Sequence, residues 1–282
     1  MKIERITEYD SASLKSFFQP LRFTIAVDAI IEGTSKGVVW TNDSSNPTLA
    51  ILWDFADGIY VMAIEGIDQH QESLKSLLAE EIIPMSESPL FVMYVFPECN
   101  EKEIHSLFDS TWNILKQTAS FYEYRMRENP SREELGELPV SYEGNFMSKS
   151  VLLDSSISKM DALRKEIETE WNSIDKFLAT SFGYYVRNIE DNSLASWVYI
   201  EKIARPCVEF AIETHEHYRH QGLGQFAARE MISKSRDLGL VPQWYCFRDN
   251  IASVKLAEKL GFKKIQDFDV FIIEKRCNLT FM

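Results

Sequence analysis

The sequence predicts an α/β (α+β) protein made of two domains, and three observations lead to that prediction. Short segments alternate apolar and polar residues, as half-buried strands do, while longer ones repeat apolar residues every three or four positions, as amphipathic helices do. The two patterns follow each other along the chain, which favours sheets flanked by helices. With 282 residues, of which 45% are hydrophobic and 12% aromatic, the chain is long enough for one large domain or two ordinary ones.

The first half shows this alternation without a recognisable catalytic motif. Its order is a hairpin, a helix, a strand, a helix and a strand, and the second half repeats that order loosely. Residues 66–71, GIDQHQ, follow the hairpin and contain no glycine-rich phosphate loop. This half is therefore either a degenerate repeat of the second half or an unrelated α/β domain. We predict helices at 13–18, 73–83 and 101–115 and strands at 38–40, 49–55, 58–65, 89–96 and 121–126.

A change in composition marks the domain boundary. Residues 128–144, ENPSREELGELPVSYEG, hold two prolines, two glycines and a run of charges, which is typical of a linker. We therefore predict an N-terminal α/β domain at 1–135 and a second domain at 136–282. In the second domain we predict helices at 161–171 and 174–179, then strands at 182–189 and 195–203 joined by a turn.

A strand, a glycine-containing loop and a helix come next, and together they predict a phosphate site. The strand at 208–214 leads through a polar loop to Gly222 and Gly224, and the helix at 225–238 ends at Gly239. Free N–H groups and the dipole at a helix start favour an anion, and glycines let a pyrophosphate approach the main chain. The loop has neither the Gly-Lys-Ser/Thr of the P-loop nor the third glycine of the dinucleotide fingerprint.

Two motifs in this region resemble signatures of the GNAT superfamily of N-acetyltransferases. Residues 219–224, RHQGLG, fit R-x-x-G-x-G, which resembles the loop that binds the pyrophosphate of acetyl-CoA in that family. After a predicted strand at 242–247, residues 250–262 resemble the second signature, which ends in Gly-Phe. The family usually has a tyrosine at the position of Ala257, where its hydroxyl can protonate the departing CoA thiolate. The resemblance implies a GNAT fold in the C-terminal half, with a mixed central sheet flanked by helices, and a repeat in the first half would then be a degenerate GNAT-like one.

The resemblance also implies which residues meet acetyl-CoA. The main chain of Ile212 and Thr214 would pair with the pantetheine arm like an added strand. Arg219 is either a brace or a phosphate contact, and capping of the next helix explains Asn250 and Ser253 as well as a cofactor contact does. The cofactor-binding residues implied in this way are Ile212, Thr214, Arg219, His220, Gln221, Gly222, Leu223, Gly224, Gln225, Asn250 and Ser253.

Catalysis by such an enzyme requires a base, because an ammonium has to lose a proton before the amine attacks the thioester. Glu209 and Glu213 lie on one face of the predicted cofactor strand, and a carboxyl buried among aromatic rings would have a raised pKa suited to a base. We favour Glu209, and the alternative is that both are exposed strand carboxylates. For the missing acid, Tyr245 and Cys246 are possible donors, although Cys246 could also be a small buried residue.

The composition of the chain also indicates which other partners, among nucleic acids, membranes and metal ions, we do not expect. The net charge of −13 argues against nucleic acid and is compatible with a cationic acceptor. No apolar run reaches the ~20 residues that span a bilayer, so we expect no membrane association. The four cysteines are scattered, which is typical of a reduced, intracellular chain. Three of the five histidines lie at 215–220, on a loop that favours solvated or phosphate-facing side chains, so we expect no metal.

The resemblance thus implies a cytoplasmic, acetyl-CoA-dependent N-acetyltransferase that transfers the acetyl group directly in a ternary complex. The stretches at 209–214 and 244–246, together with Ala257, look most like the branch that includes zwittermicin A resistance proteins. That likeness implies an amine-bearing small molecule as acceptor, and a homodimer is a possible assembly. Because the usual tyrosine is missing, the alternative function is a non-catalytic acyl-CoA-binding or regulatory module.

Overall fold

The computed structural model describes residues 3–7, 10–21, 24–55, 58–86, 88–125 and 137–276. These residues form two compact units. The first unit takes the described residues up to 120, together with 247–249 and those from 267 onward, and the second takes the described residues of 121–246 and 250–266. Strands and helices alternate in both units, which confirms the α/β prediction. Within the described ranges, every helix is too short or too polar to span a lipid bilayer.

The strands, in chain order, are β1 Glu4–Ile6, β2 Val38–Thr41, β3 Leu49–Trp53, β4 Gly58–Ala63, β5 Leu90–Phe96, β6 Trp112–Tyr124, β7 Tyr142–Phe146, β8 Gly183–Asn188, β9 Ser193–Ala204, β10 Cys207–Thr214, β11 Val241–Phe247 and β12 Phe262–Lys275. The helices are α1 Ser11–Phe17, α2 Ile25–Ile31, α3 Gln71–Leu77, α4 Ile83–Met85, α5 Glu101–Leu107, α6 Lys149–Leu152, α7 Met160–Trp171, α8 Ile174–Thr180, α9 Leu223–Asp237 and α10 Ile251–Lys259. A π-helical turn, Leu78–Ile82, joins α3 to α4.

The first unit is built on a mixed sheet with the strand order β1-β2-β3-β4-β5-β12-β6. Strands β1 to β4 are antiparallel neighbours, β4 and β5 run parallel, and β12 is antiparallel to β5. Strand β5 is the apolar run LFVMYVF, and residues 91–95 are all buried, as expected for a strand covered on both faces. The core on one side of this sheet includes Trp40, Trp53, Phe91 and Phe271.

The second unit has the strand order β11-β10-β9-β8-β7. Strands β7 to β10 are antiparallel neighbours, and β10 and β11 run parallel. Helix α7 buries Leu163, Ile167 and Trp171, which share one side because they are four residues apart. The indole Nε1 of Trp171 donates to the carbonyl oxygen of Ile200 at 3.0 Å. This bond and the buried apolar side fix α7 against β9.

Two element predictions are wrong in part. The predicted helix at 101–115 ends at Leu107, and β6 begins at Trp112. Side chains on β6 meet β12 across the sheet of the first unit: Thr118 donates to Asp269 at 3.2 Å, and Ser120 donates to Asp267 at 2.6 Å. Such partners are remote in sequence, so pairing overrides the local helical spacing. The predicted linker at 128–144 overlaps β7, which pairs with β8.

The predicted cut between residues 135 and 136 falls outside the described residues. The compact units do not follow a single cut, because the end of the chain contributes to the first unit. Residues 271–274 of β12 pair with β5, and Phe271 and Ile273 enter the first unit's core with 3% and 0% exposure. Among the described residues, the observed units differ from the domains at 1–135 and 136–282 in three segments: 121–125 belong to the second unit, and 247–249 and 267–276 belong to the first.

Candidate functional site

Strands β10 and β11 separate part of the way along their length. Their parallel register pairs Cys207–Glu209 with Val241–Gln243, and for the described residues it goes no further. On its other side β10 stays paired with β9 as far as Thr214, with an irregularity between Glu209 and Phe210. From Phe210 onward, β10 therefore presents main-chain groups along a gap, which an extended ligand can enter like an added strand.

The parallel pair of the first unit has no such gap. Strands β4 and β5 pair over five positions, from Gly58 opposite Val92 to Met62 opposite Phe96. The rings of Tyr60 and Tyr94 stack across this pair with their centroids 4.6 Å apart. The residues after β4 pass into a short 3₁₀ helix, Ile67–His70, with Asp68 in its first turn, where a negative charge disfavours a phosphate.

The gap in the second unit ends at the N-terminus of α9. Gly222 precedes this helix with a φ of +78°, and a Cβ built there would have no atom within 4 Å. Only glycine adopts this left-handed conformation without strain. No side chain caps the N-terminus of α9, so its first N–H groups lack a capping partner within the described residues. This arrangement suits an approaching anion, as the sequence predicts.

Gly224 serves a different purpose. It is buried in the first turn of α9, and a Cβ built there would lie 2.8 Å from Thr214 Oγ1 and 3.6 Å from both Ile212 Cδ1 and Ser196 Oγ. The missing side chain lets the helix pack closely on β10. Sequence reasoning assigned both glycines to the approach of a pyrophosphate, and only Gly222 has open space at its Cβ position.

The loop before α9 is held by its own side chains. The guanidinium of Arg219 donates from Nε to the carbonyl oxygen of Thr214 at 3.0 Å, and its Nη2 lies 3.4 Å from Glu213 Oε1. The hydroxyl of Tyr142 donates to Gln221 Oε1 at 2.8 Å, and His220 has a φ of +64°. The sequence left two roles open for Arg219, a structural brace or a phosphate contact, and in the structure its side chain braces the loop. Half-buried Gln225 and buried Leu223 follow in the first turn of α9.

A second cluster braces the same loop. Lys159 Nζ lies 2.8 Å and 3.0 Å from the two ring nitrogens of His215, and the hydroxyl of Tyr218 donates to Asp191 at 2.6 Å. Across the part of the chain that the structure describes, no three His, Cys, Asp or Glu side chains are grouped to hold a metal ion.

Strand β11 and helix α10 lie on the far side of the gap. Several of their residues, predicted to bind the cofactor or to donate a proton, make structural contacts. The Asn250 side chain accepts from the Ser253 N–H at 3.2 Å and caps α10, while Ser253 Oγ accepts from Trp244 Nε1 at 2.9 Å. Cys246 is buried in the core, and this burial raises the pKa of its thiol. Tyr245 is half-buried and points to the opposite face of β11, because neighbouring strand residues alternate.

Three carboxylates flank β10. Glu209 lies opposite Lys202 at the point where β11 leaves. Glu213 is exposed and paired with Arg219. Sequence reasoning missed Glu166 on α7, whose carboxylate accepts from Trp197 Nε1 at 3.1 Å. Partial burial raises the pKa of Glu166, and the nearby charges of Glu213 and Glu201 add to this effect. The only sequence signal was the charged face of α7, which does not reveal the strand beneath it.

Comparison with known proteins gives independent evidence about the family and the fold of the chain. Residues 15–271 match the model of the GNAT acetyltransferase family. The chain is 21% identical over 269 residues to a Bacillus subtilis (strain 168) protein named Uncharacterized N-acetyltransferase YdfB, covering 95% of this chain and 98% of that protein. Its fold is similar to that of a GCN5-related N-acetyltransferase-like protein from Streptococcus suis 89/1591, with a TM-score of 0.69, 17% identity and coverage of 94% and 98% of the two chains. It is also similar to a tandem GNAT protein from the clavulanic acid biosynthesis pathway, with a TM-score of 0.55, 10% identity and coverage of 97% and 98%.

Proposed function

The chain belongs to the GNAT acetyltransferase family, and we propose that it transfers the acetyl group of acetyl-CoA to an amine-bearing small molecule in the cytoplasm. The observation that carries this proposal is the gap between β10 and β11, which ends at the uncapped start of α9. An extended pantetheine fits a gap edged by main-chain groups, and a pyrophosphate fits a helix start. The gap and the helix start are formed by this chain's own residues, so they support the proposal in addition to the family resemblance.

The residues that would hold acetyl-CoA follow from this geometry. The N–H groups of Leu223, Gly224 and Gln225 are at the helix start, and open space at Gly222 admits a phosphate. The main chain of residues 210–214 would pair with the pantetheine. When bound, acetyl-CoA supplies the thioester carbonyl carbon that the amine attacks.

The proton of the acceptor's ammonium would go to Glu209. This carboxylate lies where the two strands part, whereas Glu213 is engaged by Arg219 at the loop end of the gap. A β10 main-chain N–H would stabilise the negative charge that develops on the carbonyl oxygen. As the C–S bond breaks, we propose that Tyr245 protonates the departing thiolate, because Cys246 faces the core. The second N–H proton of the attacking amine then returns to Tyr245, so that the amide forms and the tyrosine is restored. Direct transfer in a ternary complex requires no covalent acetyl-enzyme.

The acceptor class rests on the resemblance to zwittermicin A resistance proteins and on the chain's net charge of −13. Both favour a small molecule with a positively charged amine. The missing tyrosine at Ala257 motivates the competing function, a non-catalytic acyl-CoA-binding module.

Free-thiol release from acetyl-CoA, measured with a panel of small amines, distinguishes the two functions. We expect turnover with at least one amine, and Glu209→Gln should lower kcat by about 10²-fold or more, as removal of a general base does. Glu213→Gln is the matched control on the same strand and should retain most of kcat. CoA binding without thiol release on any amine would contradict the transferase and favour the module.

A further inference from the structure

Strand β6 extends beyond one of the two strands beside it. Its neighbours in the sheet are β12 on one side and β11 on the other. The N–H of Arg248, just past the end of β11, donates to the carbonyl oxygen of Thr118, in the middle of β6, at 2.9 Å. Tyr124, at the end of β6, and Trp244, within β11, both contact the ring of Phe262, with centroid distances of 5.4 Å and 5.3 Å. Strands β6 and β11 therefore run in opposite directions, and β11 covers β6 only from Thr118 onward.

Residues 112–117 of β6 thus form a free length of strand on the β11 side, which we call the open edge. At about 3.3 Å per residue it is about 20 Å long. The carbonyl of Thr118 points toward β11, and the main-chain groups of a strand alternate between its two sides. The N–H and carbonyl groups of Ile114 and Lys116, and the carbonyl of Trp112, therefore point the same way. Within the described part of the chain, no strand lies there to receive them.

A groove lies at the open edge and makes it accessible. It has a volume of about 500 Å³, and its lining residues all belong to the first unit: Leu115, Lys116, Gln117, Thr118, Arg248 and Asp249. Proteins usually protect an open edge with a charged side chain or a proline. Here the ammonium of Lys116 lies 2.7 Å from the carboxylate of Asp269 on β12, and the neighbouring Leu115 is 55% exposed. The edge can therefore accept another strand.

The two ends of the open edge carry opposite charges. Arg248 is exposed at the end near Thr118, and Asp109 is exposed just before Trp112, at the other end. Neither has an ion-pair partner among the described residues. The Asp109 carboxylate accepts from the Thr111 N–H at 2.8 Å, which holds it in the turn that begins β6. Two antiparallel copies of this edge would bring the Arg248 of each copy to the Asp109 of the other.

We propose that the open edge pairs with the same edge of a second copy of this chain, which makes the protein a two-fold symmetric dimer. The outward-facing residues are spaced evenly about Ile114, so an antiparallel pair centred there sets Ile114 opposite Ile114 and Trp112 opposite Lys116. The N–H of each Ile114 then donates to the carbonyl of the other, and the N–H of each Lys116 donates to the carbonyl of Trp112. The N–H of Trp112 is already used, since it donates to the carbonyl of Asp109 at 3.2 Å. This dimer does not depend on the proposed acetyl transfer.

Sedimentation equilibrium of the full chain, over a wide range of concentrations, measures the dissociation constant of the dimer. Lys116→Pro removes the outward N–H, which an edge strand tolerates, and it should weaken the dimer about tenfold or more, because two hydrogen bonds are lost. Lys116→Ala loses the same contact to Asp269 but keeps the N–H, so it is the matched control and should dimerise like the unmodified chain. A monomer at every concentration, or equal weakening by the two substitutions, would overturn the inference.

Reversing the charges at the two ends tests the register, and it does so even if Lys116→Pro fails to fold. Arg248→Glu and Asp109→Lys each place like charges opposite one another in their own homodimers, so each dimer should be about fivefold weaker or more. In an equimolar mixture the heterodimer has opposite charges at both contacts, so it should form more tightly than either variant homodimer. Lys165→Glu, exposed on α7, changes the net charge as Arg248→Glu does and should leave the dimer unchanged. No gain on mixing, or an equal effect of Lys165→Glu, would contradict the proposed pairing.

Discussion

Replacing Ala257 by tyrosine restores the residue that the family usually has, and the structure predicts that it harms the protein. Ala257 is 0% exposed in the core of the second unit. A tyrosine adds a ring and a hydroxyl to a filled space, and such overpacking costs about 1–3 kcal/mol. The lower helix propensity of tyrosine adds about 0.5 kcal/mol. The sum, about 1.5–3.5 kcal/mol, corresponds to a fall in Tm of about 3–14 °C.

Thermal unfolding of Ala257→Tyr and Ala252→Tyr measures this effect against a matched control. Ala252 is exposed on the same helix, so its substitution carries the propensity cost without the overpacking. We expect Ala257→Tyr to unfold several degrees below Ala252→Tyr and to gain no thiol-release activity. Equal Tm values, together with faster turnover in Ala257→Tyr, would contradict the predicted overpacking. They would mean that this position has room for a ring and faces the leaving thiolate.

Ile273→Ala should lower the free energy of unfolding by about 2–5 kcal/mol in urea titrations. Ile265, on the same strand, is 39% exposed, so Ile265→Ala should lower it by about 0.5 kcal/mol. Equal losses would contradict the assignment of the last strand to the first unit's core. Calorimetry with CoA should give one site per chain, because β4 and β5 are fully paired, and two sites would contradict this. The pKa of Glu166 is raised from 4.5 on folding, so the ionisation of this carboxyl lowers the stability of the fold as the pH rises through the carboxyl range. Glu166→Gln should therefore raise Tm at about pH 8 but not at about pH 3.5. A gain in Tm at both pH values would exclude a titration effect.

The features that sequence predicts well have local causes. The glycine turn and the helix that follows it were predictable because Gly222 needs a left-handed φ and the helix starts at the next residue, both of which leave a local pattern. The capping role of Asn250, one of two uses considered, likewise depends on a contact three residues away. The strand predicted at 89–96 has a local cause as well, because β5 is a run of consecutive apolar residues, of which 91–95 are buried.

The features that sequence misses depend on distant partners. Trp112 begins a strand although its surroundings repeat with helical spacing, because β6 meets β12 about 150 residues later, as in the bond from Thr118 to Asp269. Glu166 joins the candidate site through its bond with Trp197, 31 residues away. Arg219 fits a phosphate motif, but the contacts that make it a brace, to Thr214 and Glu213, require the folded loop.

CoA binding by Gly222→Glu and Gly239→Glu, measured by calorimetry on the full chain, tests whether the pyrophosphate binds at the start of α9. Both glycines adopt a positive φ, both have open space at the Cβ position, and they lie at opposite ends of α9, so both substitutions carry a similar strain of about 1–2 kcal/mol. A glutamate at position 222 would place a negative side chain where the pyrophosphate is expected. We expect Gly222→Glu to abolish CoA binding and Gly239→Glu to bind CoA like the unmodified chain. Retained CoA binding in Gly222→Glu, or an equal loss in both variants, would contradict it.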